Sequence, residues 1–285
     1  MQRSDFRFLL RLRVRWAEVD PQGIVFNGHY LTYFDTAMTE YWRTLAVPYP
    51  EAIHRLGGDL YAKKSSVEYH ASARYDDLLD VGIKCSRIGN SSMVFTLGIF
   101  RGDEHLITGE LVYVHADPKT QTATPLPQGF RQLLDAFETG QDMVDVRLGG
   151  WDELGGQAHA IRTEVFIEEQ RIPAEMEWDE ADATSLHAVA YNRLGQPLAT
   201  GRLLEHVPGV AKIGRMAVRR AMRGGGAGRA VLEALMEAAR ERGYHEAVLH
   251  AQTSAAAFYA RSGFIERGPT FDEVGIPHVE MVKTL

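Results

Sequence analysis

Apolar and polar residues alternate at the beginning of the chain. From Phe6 to Trp16 every second side chain is apolar, and four of the residues between them are arginines. A period of two is typical of a β-strand with one buried face. We therefore expect the first strand of an antiparallel sheet here, with the arginine row on a solvated face.

The spacing then becomes helical. Between residue 30 and about residue 45, apolar side chains fall on one helix face: Tyr30, Phe34, Ala37, Met38, Tyr41 and Leu45. Strand-like runs follow at 60–70, 78–88, 93–100 and 106–115, with turn signals at Gly89-Asn90 and Gly102-Asp103. A short amphipathic helix is expected at 130–137. This order predicts an antiparallel sheet wrapped around one central helix.

A second set of elements follows residues 139–142, which we interpret as a linker between domains 1–138 and 143–285. The pattern predicts strands and helices in this order: strand 143–148, helix 153–169, strands 185–191 and 197–204 joined as a hairpin, strand 212–218, helix 229–243, strand 246–252, and a short helix capped by Ser254. Such mixing of strands and helices indicates a βα-rich second half. The whole chain is then of the α+β class.

The turn before the helix at 229 is rich in glycine, Arg223-Gly-Gly-Gly-Ala-Gly228. The first backbone N–H groups of a helix have no partner within it, so a strand, a glycine turn and a helix form an anion site that phosphate can approach closely. A P-loop needs lysine and then serine or threonine after Gly228, where this chain has Arg229 and Ala230. The dinucleotide fingerprint also fails, because its last small residue would fall on Arg229 or Val231.

The motif Arg223-x-x-Gly226-x-Gly228 resembles the pyrophosphate loop of the GNAT acetyltransferases, which use acetyl-CoA. The resemblance implies an α/β domain with a mixed sheet. The ending Phe258-Tyr259 with Gly263-Phe264 is also similar to that family. The resemblance implies that Tyr259 protonates the departing CoA thiolate, a group whose ordinary pKa is about 8.5. It implies the following CoA-binding residues: Met216, Val218, Arg223, Gly224, Gly226, Gly228 and Arg229.

The earlier segment Arg162-x-x-Val-Phe-Ile-x-Glu-Gln170, with Trp178-Asp179-Glu180 and His187, resembles the ElaA-like branch of GNAT proteins. In that family the early helix shapes the acceptor site, which implies that Glu169 lies there. The eight carboxylates from Glu164 to Asp182 either attract a cationic amine or form a solvated surface. No carboxylate lies on strand 212–218, so the general base stays open between water, Glu169 and His250.

The first half resembles the hotdog-fold acyl-CoA thioesterases of the 4-hydroxybenzoyl-CoA thioesterase and YbgC type. The resemblance covers residues 8–138 and is specific at Asp20-Pro-x-Gly-Ile-Val25, with Tyr30 and Asp35 beyond it. It implies that Asp20 attacks the thioester or activates water. It also implies that the Asn27 N–H polarises the carbonyl, a donor worth about 3 kcal/mol.

The same resemblance implies that Gly28, His29 and Tyr30 contact the substrate. Gly28 would let it come close to the start of the central helix. This sequence departs from the family at one position, because YbgC-like members carry histidine where this chain has Asn27. His29 lies nearby but does not inherit that role.

Composition narrows the range of partners and compartments. The chain has 285 residues, a net charge of −7 and a pI of about 5.9, which argue against a nucleic-acid partner. Cys85 is the only cysteine and predicts a buried, inert thiol in a reducing cytoplasm. No signal-peptide core or membrane-spanning apolar run is expected. The eleven histidines show no metal-ligand spacing, so we expect no metal, and no tightly bound cofactor beside the acyl-CoA and acetyl-CoA substrates.

Together the two resemblances imply a bifunctional enzyme that hydrolyses acyl-CoA in its first half and transfers acetyl from acetyl-CoA to an amine in its second half. The alternative is an acetyltransferase whose hotdog half is a non-catalytic dimer scaffold or acyl-CoA sensor. Asp20 favours the enzyme. Hotdog active sites usually lie between subunits, so a homodimer or tetramer through residues 1–138 is expected.

Overall fold

A computed structural model describes residues 1–285 of the chain. The chain forms two compact units, Met1–Met143 and Val144–Leu285. None of its helices combines the length and apolar character that a membrane crossing requires.

The first unit is a five-stranded antiparallel sheet that carries one long helix. Its strand order is β1-β3-β4-β5-β2. The elements along the chain are β1 (Phe8–Arg13), α1 (His29–Thr44), α2 (Glu51–His54), β2 (Asp59–Tyr69), β3 (Leu78–Ile88), β4 (Ser92–Arg101), β5 (Glu104–Ala116) and α3 (Gln128–Glu138). The expected sheet around a central helix is confirmed.

Helix α1 provides the core of the first unit. Its buried residues are Tyr30, Tyr33, Phe34, Ala37, Met38, Tyr41 and Trp42. The fully buried Phe34 ring fills the space over Gly109 of β5, where a Cβ would collide with it. Tyr41 meets Phe8, Phe95 and Phe137 edge to face at 5.4–5.7 Å between ring centroids. These contacts join the helix to the sheet and to α3.

Strand β1 is shorter than the alternation predicted. The chain leaves the sheet after Arg13, and a single 3₁₀ turn occupies Trp16–Glu18. The Glu18 carboxylate accepts a hydrogen bond from Arg15 N at 2.7 Å, which fixes this turn in place of further strand. The arginine row is solvated as expected, and Arg11 and Arg13 make ion pairs with Asp80 and Asp76.

The second unit is built on a seven-stranded mixed sheet of order β11-β12-β10-β9-β8-β7-β6. Its elements are β6 (Val144–Gly149), α4 (Trp151–Arg162), a π-helical turn (Thr163–Glu169), α5 (Ala174–Glu177), β7 (Leu186–Asn192), β8 (Pro197–Val207), β9 (Val210–Val218), α6 (Ala227–Glu241), β10 (Glu246–Gln252), α7 (Ala256–Arg261), β11 (Ile265–Glu273) and β12 (Ile276–Thr284). The predicted mixed sheet is confirmed.

Strands β9 and β10 are parallel and part after a short contact. They pair only from Val210 to Lys212 and from Glu246 to Val248. Beyond that point β9 stays paired with β8, and β10 stays paired with β12. The sheet therefore opens at the carboxyl ends of the two strands, and in open α/β sheets such divergence at carboxyl ends is where ligands bind.

Three elements of the second unit differ from the sequence prediction. Helix α6 begins at Ala227, so Gly228 lies in its first turn and not in the loop. Ser254 does not cap α7. It lies inside a 3₁₀ turn, Thr253–Ala255, and the residue at the N-cap position of α7 is Ala255, which has no side-chain acceptor. The β11–β12 hairpin was not predicted, because every residue of β11 is exposed and shows no alternation.

Candidate active sites

Asp20 lies in a tight turn ahead of α1. Its N–H donates to Ile24 O at 2.8 Å, and Gly23 N donates to Asp20 O at 2.9 Å. The carboxylate accepts one hydrogen bond, from Gln22 N to Oδ1 at 2.8 Å. The second carboxylate oxygen has no protein partner. Because Asp20 is also partly exposed, a substrate can approach this oxygen.

Glu18, two residues earlier, is a functional candidate that sequence reasoning missed. Its carboxylate is only 3% exposed and accepts hydrogen bonds from Tyr33 Oη and Arg15 Nε, both at 2.7 Å. Burial opposes ionisation, but hydrogen bonds from Arg15 and Tyr33 outweigh it and lower the pKa of Glu18. Phe26 N donates to Glu18 O at 2.9 Å, so Glu18 ties the Asp20 turn to α1. The sequence carried no motif for Glu18, because Arg15 only donates to it and its other partner, Tyr33, lies 15 residues away.

The four residues expected at the substrate lie at the start of α1 and differ in their exposure. Asn27 and Gly28 are exposed and precede the helix, and the Asn27 N–H has no acceptor within the chain. His29, the first helical residue, packs its ring edge-on to Phe26. Tyr30 is buried and its hydroxyl accepts a hydrogen bond from Ala73 N at 3.1 Å. The geometry exposes Asn27 and Gly28, leaves His29 half-buried and places Tyr30 in the core.

The glycine loop of the second unit follows β9 at the opened edge of the sheet. Gly224 and Gly226 have φ of 83° and 90°, a region that side chains disfavour, and no atom lies within 4 Å of a Cβ built on either. Gly228 is a glycine for a different reason, since a Cβ there would strike the Val218 side chain. The first α6 hydrogen bond runs from Ala230 N to Gly226 O, which leaves the preceding N–H groups without helical partners.

Arg223 is held by Glu169 in a bidentate ion pair. The guanidinium nitrogens lie 2.7 and 2.6 Å from the two carboxylate oxygens, and Nε donates to Val218 O at 3.2 Å. The hydrogen bond from Arg223 lowers the pKa of Glu169, which makes that carboxylate a weaker base. Arg229 lies on the first turn of α6 and pairs with Glu233. Two of the expected CoA contacts are therefore cations beside the loop.

The acidic run 164–182 does not form an open negative field. Arg162 is only 1% exposed and donates to Glu177 at 2.6 Å and to Asp182 at 2.8 Å. Counting every pair in the run, five of the eight carboxylates bind arginine: Glu164, Glu169, Glu177, Asp179 and Asp182. Of the two interpretations, an electrostatic trap for a cationic amine is not supported by this part of the chain.

Tyr259 lies on α7, which follows β10. Phe258 and Phe264 flank its ring at 4.9 and 6.1 Å between centroids, and its hydroxyl makes no hydrogen bond within the chain. Burial raises the pKa of Tyr259 to about 12, so the phenol keeps its proton at neutral pH. A Cβ on Gly228 would lie 3.8 Å from Phe258, which places α7 beside the start of α6.

Comparisons with known proteins agree with this division. Residues 151–285 match the model of the acetyltransferase (GNAT) domain, and residues 22–108 match the model of the thioesterase superfamily. The uncharacterized N-acetyltransferase YjcF of Bacillus subtilis is 37% identical over 127 residues, which are 44% of this chain and 89% of that protein. The acyl-CoA thioester hydrolase YbgC of Escherichia coli is 28% identical over 118 residues, or 41% of this chain and 87% of that protein.

A solved structure of an acyl-CoA N-acyltransferase from Pseudomonas aeruginosa is also similar, with 31% identity, coverage of 50% of this chain and 99% of that one, and a TM-score of 0.45. The two folds and their families define a protein that combines two domains of CoA-thioester chemistry. Through its second unit the chain belongs to the GNAT acetyltransferase family, and its first unit carries a thioesterase-superfamily domain of hotdog fold. Both expected resemblances are confirmed.

Proposed function

We propose that this protein is a bifunctional CoA-thioester enzyme, which hydrolyses acyl-CoA with its first unit and transfers acetyl from acetyl-CoA to an amine with its second. The observation that carries the proposal is that each compact unit has its own candidate reactive group. Asp20 is partly exposed ahead of α1, and Tyr259 is buried on α7, which lies beside the start of α6. The inferred activities are therefore separate on one chain.

In hydrolysis, Asp20 attacks the thioester carbonyl carbon or removes a proton from an attacking water. Negative charge then develops on the carbonyl oxygen, where the unpaired Asn27 N–H and the start of α1 stabilise it. Gly28 and His29 line the approach to this oxygen. Glu18 acts indirectly: its hydrogen bonds with Tyr33 and Arg15 hold the turn that carries Asp20.

In acetyl transfer, the pyrophosphate of CoA binds the amide groups at the start of α6, with Arg223 and Arg229 beside it. The pantetheine arm then follows the free edge of β9, past Val218 and Met216. When the carbon–sulfur bond breaks, the thiolate takes the Tyr259 proton. Burial raises the pKa of Tyr259 to about 12, so the phenol keeps its proton until the thiolate forms.

Thiol release tests the proposal. Wild-type protein is incubated with acyl-CoAs of short, long and aromatic acyl groups, first without an amine and then, with acetyl-CoA, in the presence of primary amines. We expect thiol release above the buffer rate without amine, and acetylated amine in the second assay. Acyl-CoA that binds without being hydrolysed would instead support the alternative, in which the first unit is a scaffold or sensor. The asparagine at position 27 is the observation that favours that alternative.

Self-association is our next prediction, and it rests on β2. This edge strand has eleven residues, and its backbone is paired on one side only, with β5. Residues 61–66 are all exposed. Long open edges are templates for pairing with another chain. We expect light scattering at micromolar concentration to give at least twice the chain mass of 31.8 kDa; a strict monomer would count against hydrolysis at a site shared between subunits.

The glycine loop gives a prediction on CoA affinity. Gly226→Asp places a carboxylate where a Cβ has open space, next to the proposed pyrophosphate position. Repulsion between unit charges about 4 Å apart costs roughly 1–4 kcal/mol, depending on the local dielectric. We expect calorimetry on residues 144–285 to show CoA affinity at least about tenfold weaker than in wild type.

The matched control is Gly226→Asn, which has nearly the same shape and the same strain at a φ of 90° but no charge. It should lose much less affinity than the aspartate variant. Equal losses in the two variants would assign the effect to backbone strain, and unchanged affinity in both would remove the loop from the CoA site.

A further inference from the structure

His250 lies on β10 just beyond the point where this strand parts from β9. The last paired residue of β10 is Val248. Gln252, two residues further and on the same face as His250, donates a hydrogen bond from Nε2 to Gln170 Oε1 at 2.9 Å. Gln170 directly follows the π-helical turn. His250 therefore faces the side of the sheet on which the early helical segment lies, at the opening between β9 and β10.

Two carboxylates frame the imidazole. Glu280 of β12 is directly opposite His250 in the strand register. Its Oε1 accepts a hydrogen bond from Arg267 Nε at 2.6 Å, and its Oε2, which Arg267 does not bind, lies 3.8 Å from Nε2 of His250. Glu273 of β11 approaches the other nitrogen, with Oε2 at 3.8 Å from Nδ1. Both distances are too long for hydrogen bonds, so neither carboxylate occupies a ring nitrogen of His250. The Phe271 ring and the imidazole are in edge-to-face contact, with 5.0 Å between ring centroids.

Four charged or titratable groups from three strands determine the proton affinity of His250. Burial lowers its pKa first, Lys212 of β9 lowers it further, and His278 of β12 acts in the same direction. Glu273 and Glu280 act in the opposite direction. The net pKa lies below its ordinary value, so the imidazole is neutral at pH 7 and is able to accept a proton.

We propose that His250 accepts the proton of the acceptor amine in acetyl transfer, and that Glu273 and Glu280 hold that amine as an ammonium ion beside it. This assignment rests on the proposed acetyltransferase function. It selects one of the three bases that the sequence left open. Glu169 is the poorer choice because both of its oxygens are engaged by Arg223.

Acetyl transfer needs one proton acceptor for the amine and one proton donor for the sulfur. The ammonium gives one proton to His250, which passes it to solvent, and the freed lone pair attacks the acetyl carbonyl carbon. The new carbon–nitrogen bond forms as the carbon–sulfur bond breaks, and sulfur keeps the electron pair. The thiolate takes the Tyr259 proton, and the second nitrogen proton leaves through solvent and restores the phenol. The products are an N-acetyl amine, CoA thiol and one released proton.

The experiment uses the full chain, acetyl-CoA and three probe amines, which are spermidine, cadaverine and tryptamine. Amine-dependent thiol release is followed from pH 5.5 to 9.5. We expect His250→Gln to lower this rate by about 100-fold or more, because a general base typically contributes 10²- to 10⁴-fold. The KM for acetyl-CoA should stay unchanged, which a general loss of structure would not produce.

Two further variants test the proton directly through the acidic limb of the pH profile. Activity rises as His250 loses its proton, so anything that lowers the pKa of His250 moves the limb to lower pH. Glu273→Gln removes a group that raises this pKa, and the limb should move to lower pH. Lys212→Gln removes a group that lowers it, and the limb should move to higher pH. Shifts in opposite directions are not expected from two merely structural residues.

The outcomes distinguish the role of His250 from the acetyltransferase function on which it rests. If the wild type acetylates a probe amine but His250→Gln retains the wild-type rate, the assignment of His250 is overturned and acetyl transfer stands. An acidic limb that does not move in the Glu273 and Lys212 variants also overturns the assignment of His250, even if His250→Gln fails to fold. If wild-type protein binds acetyl-CoA and acetylates none of the amines, the proposed transferase function fails, and the role of His250 fails with it.

Discussion

Asp20→Ala is expected to lower acyl-CoA hydrolysis by roughly three powers of ten or more, because it removes the group that attacks the thioester or activates water. The fold should survive. The turn around Asp20 is held by backbone hydrogen bonds to Ile24 and Gly23, and the side chain contributes only the bond to Gln22 N. Thiol release without an amine measures the loss, and acetylation of a primary amine by the same protein should be unchanged.

Asp20→Asn is the matched control, since its amide oxygen can still accept the bond from Gln22 N. If asparagine is as inactive as alanine, the carboxylate itself is required. Tyr259→Phe should show the reverse pattern, with slower acetyl transfer and normal hydrolysis. Its effect should be smaller than that of Asp20→Ala, because water can partly replace the phenol as a proton donor. Loss of both activities in a folded Asp20→Ala protein would contradict two separate active sites.

Strong periodicity made the fold of both units predictable. The strands Leu78–Ile88 and Glu246–Gln252 have the bounds that the sequence predicted, since each is an apolar run between clear turn signals. The β11–β12 hairpin was missed for the opposite reason. Strand β11 has no buried face. It is held by pairing with β12, which in turn pairs with β10, and a local sequence pattern does not report such pairing.

The candidate sites were predictable where a motif is local. The glycine loop and the Asp20 turn are each contiguous in sequence, and the structure gives both the conformations that their glycines and proline favour. Charge pairing was not predictable, because it joins distant residues. Arg223 and Glu169 are separated by 54 positions, and their ion pair changes Glu169 from a candidate base into a bound carboxylate. The framing of His250 by Glu273 and Glu280 has the same origin in tertiary contact.

The largest such network surrounds Arg162 beneath the acidic run. Besides Glu177 and Asp182, the guanidinium contacts the faces of Trp178 and Trp151, at 4.6 and 5.7 Å from the ring centroids. Arg202 shares the Asp182 carboxylate at 2.8 Å. Burial raises the pKa of Glu177 above its usual value, whereas for Asp182 the hydrogen bonds from the arginines outweigh burial and lower it. The network therefore holds two buried carboxylates whose charge depends on Arg162.

Arg162→Met should destabilise the second unit by about 3–5 kcal/mol, because removing one partner from a buried ion pair leaves uncompensated charge. For a unit of this size we expect its melting temperature to fall by about 10 °C or more. Scanning calorimetry on the full chain measures this as the shift in melting temperature between wild type and variant. Arg240→Met is the control, since Arg240 is exposed and pairs only with exposed Glu237; such pairs are worth about 0–1 kcal/mol.

The stability lost in Arg162→Met should depend on pH in a defined direction. A carboxylate with a lowered folded pKa, such as Asp182, stabilises the fold above its unfolded pKa, and that contribution is lost as the pH falls through the folded value. Without Arg162 this contribution shrinks, and Glu177 becomes harder still to ionise. In the variant both carboxylates lack the Arg162 charge, so they take up protons at higher pH than in wild type. The stability gap between wild type and Arg162→Met should therefore be widest near pH 7 and should narrow as the pH falls toward 4. A gap that stays constant over this range would mean that Arg162 acts through packing against the tryptophans and not through its charge.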